Sequence, residues 1–567
     1  MKKNKNINKL EIDKNFKYLC VSHNSPISMA MKIIDRGKER LCFVVDSNQK
    51  LRKVVSDGDI RRALINGKKI SDKVDTIHNR QPVLARDTHP ELALQKLSKS
   101  VMLMPVVNIK NEIVGVIRLN DFPNAYNIRN RNIAVIGLGY VGLTLSLVLA
   151  ENEFSVVGVD KNKDLIKKLV NKKPPFYENG LENLLLAQVN NFFKPTISVE
   201  DVHADIYIIT VGTPINSSTK KPNINHIKKA ILVIAKKLKK NDLVILRSTV
   251  PIGLSRNYVI PLLEKESKLK AGDDFFVSFC PERTSEGRAL KELRELPQIV
   301  GGFDHNSRQM SMRFFNEITH TVIDVGSLEA SEMCKLIDNT YRDTIFAYSN
   351  QMATLTEKLG LNLNDLLSKV NLGYERNRIP LPSPGVGGPC LSKDPYILKE
   401  SFHSFNLKCP ITISSRNINE SAPRLIYNRS KNMLSKVGKN IKKEKIFIIG
   451  FAFKGEPVTS DLRDSTTIWF LNYLKSKGVK NIFGYDPVVD INDIEKLGVT
   501  YCKIEQGFKN SAAVFFMNNH RSYSNLNIYK LLNSMNKPAI FYDGWNMFLD
   551  KEINKNPGII YSGIGVG

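Results

Sequence analysis

Cysteine is scarce in this chain of 567 residues, and tryptophan is scarcer still. There are seven cysteines and two tryptophans, and no two cysteines stand in a C-x-x-C pair. An odd number of scattered cysteines is typical of a reducing compartment, and their spacing excludes an obvious structural zinc site. The nine histidines include no H-E-x-x-H motif. We therefore expect no metal centre.

The hydropathy of the sequence predicts neither a secretory segment nor a membrane-spanning segment. No apolar run follows the basic N-terminus, so no signal peptide is expected and the protein is interpreted as cytoplasmic. Residues 132–150 hold nineteen uncharged residues in a row, close to the roughly 20 that span a membrane. Three glycines within six positions make this stretch a poor helix, and no second such run accompanies it. A buried segment of a soluble domain is the favoured interpretation, with no membrane span.

The formal net charge of +27 raises the question of a nucleic-acid partner. The basic residues occur in short scattered runs, such as 167–173 and 236–240, without interleaved aromatic side chains. This distribution indicates a solvated basic surface that tolerates anionic nucleotides, and we predict no nucleic-acid partner. The length predicts several domains, because single cores rarely exceed about 250–300 residues.

After a polar tail (1–14), residues 15–126 divide into two related halves about 55 residues apart, each with two apolar strands and an acidic residue. The halves resemble a pair of cystathionine-β-synthase-type (CBS) modules, regulatory units that often bind adenine nucleotides. The ribose-contacting Ser/Thr-x-x-Asp of that family corresponds to Ser56 and Asp59. The second half has Arg118 at the hydroxyl position, before Asp121, and Lys53 replaces the expected glycine. An adenine-nucleotide site and a purely structural or oligomerising pair are the two alternatives.

Beyond a polar linker, short apolar strands alternate with helical stretches, which predicts an α/β fold with a parallel sheet of βαβ units. A helical pattern then runs unbroken from Ala330 to Gly360. Such a helix would reach about 45 Å at 1.5 Å per residue, so we expect it to join domains and to dimerise. A second α/β pattern begins at 445 and extends to about 553.

A glycine-rich turn lies inside the uncharged stretch. Gly137, Gly139 and Gly142 form G-x-G-x-x-G between a predicted strand and a predicted helix, and the next strand ends on Asp160. In this context the motif predicts a dinucleotide site, with pyrophosphate at the helix N-terminus. Asp160 favours NAD over NADP because it would bind the ribose hydroxyls and repel a 2′-phosphate; the adjacent Lys161 softens that preference.

A second candidate site is the segment SPGVGGPCLSKDPYIL (383–398). Cys390 follows glycines that allow substrate to approach the backbone, Gly387 among them, and precedes a predicted helix. We expect the helix dipole and Lys393 to stabilise its thiolate. Asp394 lies four residues further on. The alternative is a small buried cysteine without a chemical role.

Further candidate side chains lie on the long helix and at the ends of predicted strands, where α/β proteins bind ligands. Those on the helix share one face by their spacing, although an exposed Glu–Lys pair is the alternative there. The candidates are Glu332, Lys335 and Asn339 on the helix, Glu282 and Glu286 in FCPERTSEG, and Thr249 in RSTVPIG.

From about residue 132 onward the chain closely resembles the UDP-glucose/GDP-mannose dehydrogenase family. The resemblance rests on GLGYVGL, VGTP, STVPIG, CPERTSEG, SEMCKLIDN, GVGGPCLSKD, GFAFKG and DLRDS, in the family's order. It implies two Rossmann-like doubly wound domains joined by a long central helix, here preceded by the CBS pair (α+β). The implied boundaries are 131–325 for the NAD domain, 326–430 for the central dimerisation region and 440–567 for the UDP-sugar domain.

The family's chemistry is a four-electron oxidation of a sugar CH₂OH to a carboxylate, with two NAD⁺ consumed. The resemblance implies that Cys390 forms a thiohemiacetal and then a thioester, and that Lys335 and Asn339 stabilise the oxyanion. Asp394 would order water and move protons. Glu282 would be the base in hydrolysis, with Thr249 placing the water and Glu286 in support.

The resemblance also implies two sets of ligand contacts. The cofactor set is Gly137, Gly139, Tyr140, Val141, Gly142, Asp160, Lys161, Thr213 and Glu286. The substrate set is Lys335, Asn339, Gly387, Lys454 and a partner-reaching arginine, Arg376 or Arg378.

The sequence around the site most resembles that of the branch that oxidises UDP-N-acetylhexosamines, especially UDP-N-acetylmannosamine, for surface polysaccharide precursors. UDP-glucose or a GDP-sugar is the alternative substrate. A catalytically inactive, CBS-gated nucleotide-binding regulator is the alternative of a different class. We expect a homodimer or a higher homo-oligomer.

Overall fold

The computed structural model describes residues 12–78, 83–87, 101–118, 128–198 and 202–567. The chain divides into two compact units, Met1–Ile128 and Arg129–Gly567. Among the described residues, no helix combines the length and the apolar character needed to cross a membrane.

The N-terminal unit contains two three-stranded sheets with the same topology. In each, the first strand pairs parallel with the second, and the second pairs antiparallel with the third. The elements are β1 Cys20–Ser22, α1 Ile27–Gly37, β2 Leu41–Val45, β3 Leu51–Ser56, α2 Asp57–Ile65, β4 Ala85–Arg86, β5 Leu103–Val107 and β6 Ile113–Arg118.

Strand positions give the repeat length of this unit. β5 starts at Leu103 where β2 starts at Leu41, and β6 starts at Ile113 where β3 starts at Leu51, so the repeat is 62 residues and not about 55. The apolar runs of β2 and β5 are almost completely buried. The predicted acid of the second half, Asp121, lies outside the described residues.

The uncharged stretch 132–150 folds as a strand, a glycine turn and a buried helix, which explains its lack of charge. It begins an α/β domain with an eight-stranded sheet in the order β14-β13-β12-β11-β10-β7-β8-β9. The strands are β7 Ile133–Ile136, β8 Val156–Val159, β9 Phe193–Thr196, β10 Ile206–Ile209, β11 Leu243–Leu246, β12 Phe276–Phe279, β13 Gln298–Gly302 and β14 Val322–Ser327. The helices are α3 Tyr140–Glu151, α4 Lys163–Val170, α5 Leu181–Gln188, α6 Asn225–Ala235, α7 Ile260–Ser267, α8 Ala289–Glu295 and α9 His305–Asn316.

Six of these strands, β9-β8-β7-β10-β11-β12, have the 3-2-1-4-5-6 order of a dinucleotide-binding fold and pair in parallel. The apolar strands are all expected to pair in parallel, and for β13, with the sequence QIVGG, this is wrong, because β13 pairs antiparallel with β12. The loop after β12 and the short helix α8 lead the chain back into the sheet from the end at which β12 leaves it.

The central region is helical and is built on the predicted long helix. Its elements are α10 Leu328–Leu359, α11 Leu363–Val370, α12 Asp394–Ser404 and α13 Pro410–Lys436. At 32 residues, α10 is about 48 Å long. Its buried face is largely polar, whereas Ile337, Tyr341, Tyr348 and Leu355 on other faces are more than half exposed.

The C-terminal domain contains a second parallel sheet in the order β17-β16-β15-β18-β19-β20, again 3-2-1-4-5-6. The fold class predicted from the sequence is confirmed. The pattern that ended near 553 missed the last strand. The elements are β15 Ile446–Ile449, α14 Thr466–Ser476, β16 Ile482–Tyr485, α15 Ile491–Lys496, β17 Thr500–Tyr501, α16 Ile504–Phe508, β18 Ala513–Phe516, α17 Ile528–Asn533, β19 Ala539–Asp543, α18 Asp550–Ile553 and β20 Ile559–Gly563.

Candidate active site

The glycine turn after β7 is shaped by steric limits. Gly137 has φ +100°, a left-handed conformation, and a Cβ on Gly142 would lie 1.8 Å from the Gly137 carbonyl oxygen. A Cβ on Gly139, the residue before α3, would meet no atom within 4 Å. Two glycines therefore build the turn, and the third leaves open space at the N-terminus of α3, where a pyrophosphate fits.

Asp160 lies at the end of β8, next to this turn. Its carboxylate accepts hydrogen bonds from the Leu138 N–H at 2.8 Å and the Asn162 N–H at 2.9 Å. The backbone thus fixes the acid beside the glycine turn, and the neighbouring Lys161 is exposed.

Other residues of the predicted cofactor set line the same edge. The Tyr140 hydroxyl hydrogen-bonds the Glu178 carboxylate, and the Gly287 N–H donates to both, at 2.8 Å and 2.7 Å. Val141 is half-buried in the first turn of α3. The buried Thr213 hydroxyl donates to the Thr249 carbonyl at 2.7 Å. This bond ties together the loops that follow β10 and β11.

The buried face of α10 carries three of the predicted residues. Lys335 Nζ donates to the carbonyl of Glu282, and Asn339 Nδ2 donates to Asp394 Oδ2 at 2.5 Å. The Glu332 carboxylate accepts the N–H groups of Gly253 and Ser255, and burial raises its pKa to about 7. The exposed Glu–Lys pair considered above is wrong, because both side chains are buried.

Glu282 follows β12 and is held by a residue that the sequence interpretation overlooked. Arg247 Nη2 lies 2.8 Å from Glu282 Oε2, and the Thr284 N–H donates to Oε1 at 2.5 Å. Burial acts to raise the pKa of Glu282, but Arg247 and Thr284 outweigh it and the pKa is lowered. Arg247 is itself buried, and an arginine directly after the apolar strand LVIL was the available signal.

Cys390 lies in a turn, four residues before α12 begins. Its carbonyl accepts the N–H groups of Lys393 at 3.1 Å and Asp394 at 2.9 Å, and the residue as a whole is exposed. The expectation of a stabilised thiolate is wrong in direction. Desolvation by the surrounding protein raises the pKa of the Cys390 thiol, outweighing the positive charges of Lys335 and Lys393. Lys393 is paired with Asp394 at 2.7 Å, and Cys390 stands three residues before Lys393, the N-cap of the helix.

The C-terminal domain contacts the loop that follows Glu282. Lys454 Nζ donates to Ser285 Oγ at 3.0 Å and to the Glu286 carbonyl at 2.8 Å. The Glu286 carboxylate accepts Arg463 Nη2 at 3.1 Å and the Thr459 hydroxyl at 3.3 Å. The two Rossmann-like domains are therefore joined at the predicted site.

A cleft of about 890 Å³ opens along this junction. Its lining includes Gly139 and Tyr140 from the NAD domain and Arg463 from the C-terminal domain. Arg376 and Arg378 are exposed in the loop after α11, and neither forms a hydrogen bond or ion pair within the part of the chain that is described. Gly387 packs closely, because a Cβ there would lie 2.3 Å from the Asp464 carbonyl oxygen.

Glu286 gives a prediction for stability. Burial and Asp461 raise its pKa to about 8, against about 4.3 for an unfolded glutamate. Folding thus favours the protonated carboxyl, and its contribution to stability is lost as pH rises from about 4 through 8. Glu286→Gln does not titrate, so we expect it to melt roughly 3 °C or more above wild type at pH 9 and close to wild type at pH 5. Thermal melting across this range is the measurement.

The matched control for this prediction is Glu295→Gln, which changes an exposed glutamate near the same loop. Its melting temperature relative to wild type should not vary with pH. A stability difference for Glu286→Gln that is constant with pH, or that shrinks as pH rises, contradicts the assigned titration.

In the N-terminal unit, Ser56 and Asp59 bind each other. Ser56 Oγ donates to Asp59 Oδ2 at 2.7 Å and accepts the Asp59 N–H at 3.2 Å, which caps α2. Lys53 Nζ donates to the Ile77 carbonyl at 3.0 Å. Arg118, at the position that matches Ser56, forms ion pairs with Asp13 at 2.5 Å and Glu39 at 2.6 Å. The second half thus has an ion-pair cluster where the first has a capping hydroxyl.

Comparison with protein families identifies the larger unit. Residues 131–319 match the NAD binding domain of the UDP-glucose/GDP-mannose dehydrogenase family, residues 329–421 its central domain and residues 447–550 its UDP binding domain. The chain belongs to this family. The dehydrogenase is therefore an NAD-dependent oxidoreductase of the nucleotide-sugar class. Residues 12–66 match the CBS domain, so the first N-terminal module is confirmed.

Individual relatives agree with this assignment. The dehydrogenase is 30% identical over 449 residues to the UDP-N-acetyl-D-mannosamine dehydrogenase of Pyrococcus horikoshii, covering 77% of this chain and 99% of the relative. It is 28% identical to the NDP-N-acetyl-D-galactosaminuronic acid dehydrogenase of Ralstonia solanacearum, with 72% and 95% covered. The solved UDP-D-ManNAc dehydrogenase structure from Pyrococcus horikoshii superposes with a TM-score of 0.70 at 29% identity, covering 77% and 99%.

Proposed function

We propose that the dehydrogenase oxidises the C6 hydroxymethyl group of a UDP-N-acetylhexosamine, UDP-N-acetylmannosamine first among them, to the carboxylate. The observation that carries the proposal is the 2.5 Å bond between Asn339 on the polar face of α10 and Asp394, the first residue of α12, which begins four residues after Cys390. Lys335 acts electrostatically on the thiol, and Asn339 binds Asp394 on the helix that follows it. The relatives named for N-acetylhexosamine substrates support the sugar class.

The residues of the NAD domain fit the cofactor. A pyrophosphate fits the open space at Gly139 and the N-terminus of α3. A ribose fits beside the fixed carboxylate of Asp160. When bound, NAD⁺ supplies the hydride acceptor for each of two oxidation steps. Asp160 selects against a 2′-phosphate.

Covalent catalysis at Cys390 separates the two oxidations. After the alcohol has lost one hydride and one proton, Cys390 Sγ adds to the aldehyde carbon and gives a thiohemiacetal. Loss of the second hydride, together with the hydroxyl proton of the thiohemiacetal, leaves a thioester on the same sulfur. Because the pKa of the thiol is raised, its proton must leave as sulfur attacks, and Asp394 is the proposed proton carrier, through water.

Lys335 and Asn339 stabilise the negative charge that develops on the C6 oxygen. Both come from one buried helix face, and their positions are fixed by the Glu282 carbonyl and the Asp394 carboxylate. Donors that are fixed before the reaction need not reorganise as the charge appears.

Hydrolysis of the thioester needs a base and an aligned water. With its pKa lowered by Arg247, Glu282 is ionised at neutral pH and is in the form that accepts a proton. Thr249, at the end of β11, places the water. Glu286, with a pKa of about 8, supports proton transfer at the domain junction. The products are the uronate and the restored thiol.

The remaining contacts are proposed for the nucleotide-sugar and for a second copy of the chain. Lys454 binds the UDP portion, and the backbone at Gly387 contacts the sugar. The exposed apolar side chains of α10 form the dimer contact, through which Arg376 or Arg378 reaches the partner's substrate. Domain boundaries at 131–325, 326–430 and 440–567 are proposed on the same basis.

A substrate panel tests the proposal. NADH formation is measured with UDP-N-acetylmannosamine, UDP-N-acetylglucosamine, UDP-N-acetylgalactosamine, UDP-glucose and GDP-mannose. We expect kcat/KM at least tenfold higher for one of the N-acetylhexosamines than for the last two. Preference for UDP-glucose or GDP-mannose overturns the sugar assignment and leaves the chemistry. No NADH with any of them favours the inactive regulator.

We further propose that the CBS module binds an adenine nucleotide through Ser56 and Asp59 and thereby changes the rate. The expected result is a rise in the melting temperature of the full chain with AMP or ATP, which Asp59→Ala abolishes. The control is Asp57→Ala, which changes an exposed acid two residues before Asp59 on α2 and should keep the shift in melting temperature. No shift in the wild-type chain supports the structural alternative.

A further inference from the structure

Arg416 is a completely buried arginine in the second turn of α13. Its guanidinium donates to the carbonyl oxygens of Val386 and Leu391, both at 2.7 Å, and to Asp343 Oδ1 at 2.7 Å. Leu391 directly follows Cys390, and Val386 precedes it by four residues. One buried cation therefore hydrogen-bonds the backbone on both sides of Cys390.

Asp343, the partner of Arg416, lies on α10. It follows Lys335 and Asn339 at successive four-residue steps, so the three share one face of the helix. The Asp343 carboxylate also accepts Asn419 Nδ2 at 2.8 Å. The helix face that carries the two proposed oxyanion donors thus ends in the anchor of the Cys390 loop.

The Arg416–Asp343 ion pair is unusual because both side chains are completely removed from water. Taking a guanidinium and a carboxylate out of water costs free energy that a buried ion pair often fails to regain, so such pairs are weak evidence for stability. Here the arginine also satisfies two backbone carbonyls of an irregular loop, which apolar side chains cannot do. Its geometry suits a loop that must be held in one position.

Neighbouring contacts dock the earlier part of the loop on α10. Ser349 Oγ donates to the Pro380 carbonyl at 2.6 Å, and the Ser383 N–H donates to Asn350 Oδ1 at 2.8 Å. These bonds lie seven or more residues from Cys390. Among the described contacts of this loop with α10 and α13, those of Arg416 are the ones that bracket the thiol.

We propose that Arg416 and Asp343 are positioning residues: together they hold the Cys390 loop against α10, so that the sulfur faces Lys335 and Asn339. The inference rests on the proposed function, because it takes Cys390 as the nucleophile. Neither residue touches the reacting atoms. Their effect is on the placement of the thiol and not on the binding of the nucleotide.

The test replaces the pair by apolar residues, Arg416→Met with Asp343→Leu. The exchange removes both charges together, which avoids the strong destabilisation caused by one unpaired buried charge, and Asn419 keeps the Asp343 backbone carbonyl as acceptor at 3.0 Å. We expect kcat to fall at least tenfold while KM for the nucleotide sugar changes less than threefold. The iodoacetamide alkylation rate of Cys390 should change severalfold, and that of the half-buried Cys409 should not.

A matched control lies on the same two helices. Arg429 of α13 pairs with Glu357 of α10 at 2.8 Å, but its guanidinium donates to the Gly563 carbonyl instead of the Cys390 loop. Arg429→Met with Glu357→Leu should keep kcat within about twofold of wild type. Arg416→Lys, which keeps the cation, should recover part of the activity that Arg416→Met loses.

A folded Arg416/Asp343 double variant with wild-type kcat and alkylation rate overturns the inference. If that variant does not fold, Asp343→Asn carries the test, with an expected three- to tenfold loss of kcat at unchanged KM; an unchanged kcat overturns the inference equally. Cys390→Ala separates the two levels. If it is inactive while the double variant is fully active, the proposed function stands and this inference fails.

Discussion

Cys390→Ser should abolish sustained formation of the acid product, with a loss of at least about 10³-fold in turnover. A serine hydroxyl at neutral pH adds poorly to an aldehyde and gives no thioester. The first hydride transfer does not need the sulfur, so a small initial burst of NADH is compatible with the variant. The measurement is steady-state NADH formation together with mass-spectrometric detection of the uronate.

Cys409→Ser is the control for this substitution. Cys409 is half-buried at the start of α13, outside the glycine-rich loop, and its replacement should leave turnover near that of wild type. Undiminished uronate formation by Cys390→Ser would remove the covalent mechanism altogether.

Lys335→Met should lower kcat by about 10²- to 10³-fold, the range found when one oxyanion donor is removed. Methionine fills a similar volume but removes the charge. That charge also acts on the Cys390 thiol, whose pKa should rise further without it. Alkylation of Cys390 at a fixed neutral pH should therefore slow in parallel with kcat, while KM changes little.

Lys358→Met is the matched control, because Lys358 lies in the last turn of the same helix and is exposed. It should leave both kcat and the alkylation rate unchanged. If Lys335→Met is folded and raises KM without lowering kcat, Lys335 contributes substrate binding and not charge stabilisation.

The parts of the fold that local chemistry dictates were predictable. The G-x-G-x-x-G turn needs a left-handed Gly137 and a Gly142 without a side chain, and both requirements are visible in the sequence. The same holds for the apolar strands and for α10, whose 32 residues carry no proline or glycine. Periodicity and steric limits act over a few residues, so a single sequence is enough to predict these elements.

Features that depend on distant partners could not be predicted. The pKa of Cys390 was expected to be lowered, because helix start and lysine are local signals, yet Lys393 is paired with Asp394 and the surrounding protein desolvates the thiol. Arg416 and Asp343 lie 73 positions apart, and no spacing rule connects them. The antiparallel pairing of β13 depends on the edge of the sheet to which the preceding loop returns the chain.

The site itself falls between these cases. Motif positions named Lys335, Asn339 and Asp394, but only the packing of α10 against α12 shows that Asn339 and Asp394 are bonded at 2.5 Å. Arg247, which fixes Glu282, was missed although it begins RSTVPIG, because nothing in that motif shows which acid the arginine contacts. Tertiary contact gave it a role that its sequence surroundings do not encode.

The most direct test of the central claim is the number of NADH molecules formed for each sugar nucleotide consumed, measured with limiting UDP-N-acetylmannosamine and excess NAD⁺. Two hydride transfers through one Cys390 thioester predict two NADH and one uronate for each sugar. One NADH for each sugar, with the aldehyde as the released product, would contradict the account.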